Sequence, residues 1–225
     1  MDLSYRPHLG KTVVLCLPGS HYSGRFLVRL VSLLEHCKGL GMNCVISQDY
    51  SSMVNFARCK VAGASVDRGR SQVPFGGKIS YDYMLWIDSD IVFDNKAFDK
   101  LLKLDKPIAS GWYSQPGGYT PVVKHMKEDF FKQHGSYEFI SAKEMSGLKA
   151  PFKADYTGFG WVLVKKGVFE KLPYPWFAPK RRTVGEDIED MCSEDVAFCM
   201  DAQTAGFEIW VDPSVRVGHE KIMVI

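Results

Sequence analysis

Three groups of residues in this chain have the types and spacing to do chemistry. The first is Asp88-Ser89-Asp90, which ends the apolar run Tyr83-Met84-Leu85-Trp86-Ile87; apolar residues resume at Ile91-Val92-Phe93. Such a run reads as a buried strand of a parallel sheet. Side chains alternate along extended backbone, so acids one residue apart can point the same way. Two carboxylates brought that close repel unless a cation lies between or near them. Their hard oxygens suit Mg2+ or Mn2+. A competing reading is a solvated turn in which Asp90 or Asp94 caps the next helix. The hydrophobic run feeding the pair favours the cation.

The second group is Glu194-Asp195, directly after Ser193, a good N-cap for a helix carrying Val196, Phe198, Cys199 and Ala202. Acids in a first turn complement the helix dipole by a few tenths to about 1 kcal/mol, which is reason enough for their presence. A carboxylate there is also held ionised, as a general base for an alcohol must be. The same field lowers its basicity, so positioning has to supply most of the effect. The third is His219, delivered by the short run Val215-Arg216-Val217. Asp90 and one imidazole around a cation leave room for two phosphate oxygens and water, and imidazole suits Mn2+ better than Mg2+.

The elements that must position these residues read as alternating strands and helices. Residues 12–17 form a β-rich run broken at Pro18-Gly19-Ser20, and Phe26, Leu27, Leu30, Val31, Leu34 and Cys37 share one helical face. Residues 43–47 read as the second strand of a β-α-β unit, which favours a parallel pair with the Pro18-Gly19 turn at a strand's carboxyl end. A second helix turns Val54, Ala57, Val61 and Ala62 inward, with Arg58 among them. That arginine either snorkels or offers its fork to a phosphate or a nucleobase. After the central strand, Asp94 or Asn95 caps a helix through Ala97, Phe98, Leu101 and Leu102, and residues 107–112 form a strand.

Val122-Val123 and residues 137–141 read as short strands joined by a charged connection. Residues 155–164 pass from loop to strand, with Gly158 and Gly160 allowing close approach beside Trp161. Residues 167–172 read as a short helix and 173–190 as a surface loop or active-site flap. Residues 207–211 and 215–217 read as strands separated by the Asp212-Pro213 turn.

At 225 residues the chain has room for one sizeable core. A formal net charge of +2 gives no electrostatic case for nucleic acid. No apolar window is long enough for a transmembrane helix, and residues 1–8 lack the apolar segment of a signal peptide, so the expected location is cytoplasmic. Six cysteines without a C-x-x-C spacing read as reduced core thiols and disfavour zinc.

Taken in order, these features resemble the metal-dependent GT-A glycosyltransferases. The resemblance rests on the strand and Leu17-Pro18-Gly19 turn, Arg58, the D-x-D of Trp86-Ile87-Asp88-Ser89-Asp90, Gly158-Phe159-Gly160-Trp161 before Val168-Phe169, Ser193-Glu194-Asp195, and Val211-Asp212-Pro213 leading to Val217-Gly218-His219. It implies a single three-layer α/β/α domain around a central mixed, mainly parallel sheet. Residues 1–92 would form a nucleotide-binding half and residues 93–225 an acceptor-binding half. It implies a nucleoside-diphosphate sugar donor, most often a UDP-sugar, with a hexosyl or deoxyhexosyl group moved to a glycan or other hydroxyl acceptor. Leu17, Pro18, Gly19, Arg58, Asp88 and Ser89 would bind the donor. Asp90 and His219 would hold Mn2+ or Mg2+, with Asp88 beside them or reaching through water. If the reaction inverts, an outcome the fold leaves open, Asp195, or else Glu194, would be the base, and Gly158, Phe159 and Trp161 would shape the sugar and acceptor site. The acids Glu186, Asp187, Glu189 and Asp190 are rival carboxylates.

Two other readings share parts of this pattern. A nucleotidyltransferase of similar fold wants a Gly-rich basic segment after the first strand. A haloacid-dehalogenase-type phosphatase wants Thr where Val92 stands. A non-catalytic module that binds a sugar nucleotide is the remaining alternative.

Overall fold

A computed structural model describes residues 8–186 and 188–221. Residues 1–7, most of the stretch read for a leader, and Asp187 lie outside the described residues. The chain begins with β1 (Thr12–Pro18), α1 (Gly24–Gly39), β2 (Asn43–Asp49), α2 (Val54–Val61), β3 (Tyr83–Ile87), β4 (Ile91–Val92), α3 (Asn95–Leu104) and β5 (Ile108–Trp112). There follow β6 (Tyr119–Val123), α4 (Glu128–His134), β7 (Phe139–Ser141), α5 (Ala142–Gly147), β8 (Phe152–Ala154), β9 (Tyr156–Thr157) and β10 (Trp161–Lys165). The last elements are β11 (Lys180–Val184), β12 (Ile188–Cys192), α6 (Glu194–Thr204), β13 (Ile209–Arg216) and β14 (Gly218–His219).

Seven strands make the central sheet, in the order β2-β1-β3-β10-β5-β13-β8. β2, β1, β3, β5 and β13 run one way; β10 and β8 are reversed. The sheet is therefore mixed and mainly parallel. The inner parallel strands β1, β3 and β5 are buried on both faces, as their apolar runs require, while β2 at the sheet edge is half-exposed. Val13, Leu15, Leu85 and Ile87 face Phe26, Leu33, Phe98 and Leu101 of α1 and α3. The alternate residues Val14, Cys16, Met84 and Trp86 face Cys59, Val61, Phe198 and Cys199 of α2 and α6. The period-2 pattern of each strand thus feeds two separate helical layers. All six cysteines are free thiols. Among the described residues no helix is long and apolar enough to cross a membrane.

Several elements differ from what the sequence suggested. Residues 167–172 are successive turns rather than a helix, with Lys171 N–H on Val168 O at 3.0 Å. Buried Val168, Phe169 and Leu172 pin them, and the residue before Pro173 is pushed out of helical backbone. The apparent loop ends in a β-hairpin, β11 paired antiparallel to β12. The two final strands are one, β13, which continues through Asp212-Pro213 with a register shift between Val211 and Arg216. Trp112 Nε1–H donates to Pro213 O at 2.8 Å and holds that irregularity in place. The charged connection between β6 and β7 contains a helix, α4. A further helix, α5, is closed by a Ser141–Glu144 capping box.

Candidate functional site

The carboxyl ends of β1, β2, β3, β5 and β13 lie along one edge of the sheet, and the candidate residues gather there. In open α/β sheets this is where ligands bind. Leu17-Pro18-Gly19 ends β1. Gly19 adopts φ 150°, and a Cβ on it would come within 2.9 Å of Ser89 Cβ. Glycine therefore lets the turns after β1 and β3 touch. A cleft of ≈ 260 Å³ opens beside that contact, lined by Pro18, Gly19, Tyr50, Ser51, Val54 and Asp88, among others. A second, ≈ 620 Å³, lies across Ser89 and Asp90, against Tyr22, Ser23 and Lys221. Ser89 and Asp90 line both.

Asp90 meets His219 through the smallest sheet in the molecule. β4 and β14 pair antiparallel over two residues, Val92 with Gly218 and Ile91 with His219, and Glu220 N–H donates to Asp90 O at 2.7 Å. This register sets His219 Nε2 3.1 Å from Asp90 Oδ2, while Nδ1 lies 3.1 Å from Ser114 O. If Nδ1 carries the proton, it donates to that carbonyl and Nε2 offers its lone pair toward Asp90, the tautomer a metal ligand needs. Lys221 Nζ also reaches Asp90 Oδ2, at 2.7 Å.

Asp88 has a different neighbour. Arg58 Nη2–H donates to Asp88 Oδ2 at 3.1 Å, and Nη1 lies 3.0 Å from Oδ1. Arg58 Nε–H also donates to Glu194 Oε1 at 3.3 Å. The guanidinium is 3% exposed and stacks over Phe159 at 5.4 Å and Phe177 at 6.0 Å. It neither snorkels nor presents its fork to the cleft; it ties the D-x-D turn to the start of α6. Burial works against its charge, but Asp88 and Glu194 prevail and its pKa rises. Burial pushes the carboxyl of Asp88 up, Arg58 opposes, and Asp90 and Asp195 reinforce the rise. Burial raises Glu194 too, helped by repulsion from Asp195 and opposed by Arg58.

Asp195 turns the other way. Its Oδ2 accepts from Tyr156 O–H at 2.8 Å, and its Oδ1 accepts from Ser193 O–H and from Val196 N–H. Ser193 therefore starts α6 without a side-chain bond into the helix; its hydroxyl is spent on Asp195. Burial pushes the phenol of Tyr156 well above its usual range, and the Asp195 charge adds to this, so Tyr156 stays a donor.

Gly158, Phe159 and Trp161 lie at the same edge but differ in exposure from what the sequence suggested. Phe159 and Trp161 are buried, at 1% and 0% exposure. The Phe159 ring packs on Trp86, Phe177 and Phe198. Phe159 belongs to the core against α2 and α6 and Trp161 to the core against α1 and α3, so neither ring lines the clefts. The correction extends to a residue that sequence reasoning passed over. Tyr113 follows β5 and lies over Gly158 and Gly160, where added Cβ atoms would come within 3.0 and 2.9 Å of its hydroxyl. Burial raises its pKa, with Asp88, Asp195 and Asp90 adding to the rise and Arg58 opposing. The small residues at 158 and 160 were the available signal, since close approach needs an occupant.

No protein-family model matches the sequence, and a search of curated proteins finds no match. Solved structures do resemble it. A197 from STIV matches at TM-score 0.50 and 15% identity, over 96% of both chains. GalNAc-T7, solved with UDP, GalNAc and Mn2+, matches at TM-score 0.51 and 10% identity, over 96% of this chain and 44% of that one. The chain thus spans less than half the length of GalNAc-T7. The fold is GT-A-like. Identities this low speak to fold alone, and function has to be argued from the site.

Among the described residues no three of His, Cys, Asp and Glu converge as a ready metal cage. Asp90 and His219 do converge, one hard oxygen beside one imidazole nitrogen at 3.1 Å. That two-ligand set fits Mn2+ or Mg2+ completed by phosphate oxygens and water. Asp88, engaged by Arg58, fits an outer role better than direct ligation.

Proposed function

We propose that this protein is a glycosyltransferase that moves a hexosyl or deoxyhexosyl group from a nucleoside-diphosphate sugar, a UDP-sugar foremost, to a hydroxyl acceptor. The observation that carries the reading is the convergence of Asp90 and His219 beside a cleft at the carboxyl ends of β1, β2 and β3. The GT-A-like fold and a structural neighbour solved with UDP and Mn2+ support it.

Residues 1–92 would supply the nucleotide side, with Leu17, Pro18, Gly19 and Ser89 around the donor and Arg58 holding Asp88 in place. Asp90 and His219 would hold Mn2+ or Mg2+. Bound there, the cation would neutralise the leaving diphosphate, a Lewis-acid role. Residues 93–225 would supply the acceptor side.

Asp195 is assigned as the base. It takes the proton of the acceptor hydroxyl while that oxygen bonds to the anomeric carbon. The bond from that carbon to the diphosphate oxygen breaks, and its electron pair leaves with the nucleoside diphosphate. Tyr156 and Ser193 orient the Asp195 carboxylate for this. Glu194, bound to Arg58, is the weaker candidate.

Calorimetric titration of UDP with and without MnCl2 tests the reading, followed by a panel of nucleoside-diphosphate sugars assayed for slow hydrolysis. Metal-dependent UDP binding that disappears in Asp90→Ala is expected. A wild-type chain whose affinity for UDP ignores Mn2+, and which hydrolyses no donor, would defeat the proposal.

A further inference from the structure

A pocket separate from the nucleotide clefts is lined by two residues that hold the assigned base. It measures ≈ 300 Å³ and lies between α4 and the β11–β12 hairpin. The hairpin is fastened to α4 by Gly185 N–H, which donates to Glu128 Oε1. Aromatic rings form one wall: Phe131 packs on Tyr137 at 5.2 Å, Tyr137 on Phe139 at 6.3 Å, and Phe139 on Tyr156 at 6.1 Å. Arg182 lies over Tyr137 at 4.9 Å and donates to its hydroxyl. Asp190 is Arg182's direct cross-strand partner in the hairpin register.

Two residues belong both to this pocket and to the base. Tyr156 lines it and donates to Asp195 Oδ2 at 2.8 Å; Ser193 lines it and donates to Asp195 Oδ1. A molecule seated here would therefore end against the hydroxyls that orient Asp195. Phe159 and Trp161 are buried, so recognition of an acceptor has to come from other residues.

We infer that this pocket is a saccharide subsite, and that the hydroxyl acceptor is a sugar ring seated against the half-buried Tyr137. The inference about the acceptor rests on the glycosyl-transfer reading; the inference about saccharide binding does not need it. Three features select this chemistry. Aromatic faces bury the C–H face of a pyranose, which is apolar. Its hydroxyls both donate and accept, and the wall offers matched groups of each kind: Arg182 donates, Asp190 accepts, and Tyr137 and Ser193 do both. The single cation faces a single anion across the hairpin, so the lining has no net charge to select an anionic ligand. A purely apolar ligand would desolvate Arg182 and Asp190 and leave part of their hydrogen-bonding capacity unmet.

The test uses saturation-transfer NMR on the full chain. The probes are the methyl glycosides of glucose, galactose, mannose, fucose and N-acetylglucosamine, one at a time, with inorganic phosphate as competitor. At least one glycoside should take saturation from the protein. Tyr137→Ala should weaken it by about tenfold or more, since truncating a central aromatic contact typically costs that much. Asp190 is exposed and carries no core packing, so Asp190→Ala should fold normally and weaken binding several-fold. UDP affinity should be unchanged in both variants. The proposal fails if no glycoside binds, if binding ignores both substitutions, or if phosphate displaces the sugar, which would make Arg182 an anion site. A chain that binds UDP but no glycoside loses this proposal alone. One that binds a glycoside but no UDP loses the transferase reading and keeps the subsite.

Discussion

Asp88 and Asp90 leave one strand two residues apart, and Glu194 and Asp195 open one helix side by side, yet both pairs divide in the same way. In each, one acid faces inward and is bound by Arg58: Asp88 through Nη2 and Glu194 through Nε. In each, the other acid faces outward onto groups that can exchange partners. Asp90 meets His219 and Lys221; Asp195 meets Tyr156 and Ser193. A single buried cation thus joins the strand exit to the helix start and leaves one carboxylate at each without it as a partner. Adjacent acids of one type acquire different duties from the direction of the backbone and from where one arginine lies.

The division can be broken from either side. The largest effect is expected at the outer acid of α6. Asp195→Asn should cut transfer by about 10²–10⁴-fold while donor binding persists. Glu194→Gln should keep transfer within about tenfold of wild type, because its carboxylate serves Arg58. Steady-state rates on one donor–acceptor pair check both, and a reversed order would exchange the two roles.

Arg58→Met attacks the inner pair. Two carboxylates lose their cation in a buried setting, a change that typically costs about 3–5 kcal/mol, and the melting temperature should fall by about 10 °C. The pH dependence has a definite sign. The carboxyls of Asp88 and Glu194 already titrate above their ordinary values of 3.8 and 4.5 in the folded chain. Groups raised in this way contribute stability below those values and lose it as pH rises through the folded ones. Arg58 opposes both shifts, so its removal raises them further. The melting temperatures of variant and wild type should therefore lie closer at pH 4 than at pH 7. A gap that is constant with pH would show that Arg58 acts by packing alone.

The smallest effect is expected at His219. His219→Ala removes one of two protein donors and should weaken Mn2+-supported UDP binding by about tenfold, with little change in melting temperature. An unaltered Mn2+ titration would take His219 out of the site.

What the sequence disclosed follows from the range of each interaction. The run ending at Ile87 and the helical faces of α3 and α6 are local periodicities, and they stand in the structure where the pattern put them; on α1 the pattern misled, since Leu27 and Val31 are exposed and Leu33 is buried instead. The alternating strands and helices also led to the three-layer sheet. The placement of β10 between β3 and β5, reversed, was not legible. Residues 161–165 read as a strand, but direction depends on partners distant in the chain. Arg58 was visible as an oddity in an apolar face, while its bond to Glu194 spans 136 residues and leaves no local trace. Tyr113 falls one residue past the strand read at 107–112 and carries no local signal of its own, and the hairpin of β11 and β12 was obscured by charged residues on strands exposed to solvent.

The pairing of β4 with β14 joins Asp90 to His219 across 129 residues through a two-residue ladder. Closing so long a segment costs chain entropy that so few bonds repay poorly, and such short ladders at a sheet's margin open at a small fraction of the global unfolding free energy. The contact is therefore among the last formed in folding and the first lost on warming. Amide hydrogens of Gly218 and Glu220 should exchange well before those of Leu85 or Trp86, with donor and Mn2+ slowing the former alone. Affinity for the donor would then vanish at temperatures where the sheet is still intact, and the ligand would serve as the clasp that holds the late part of the chain against the early part.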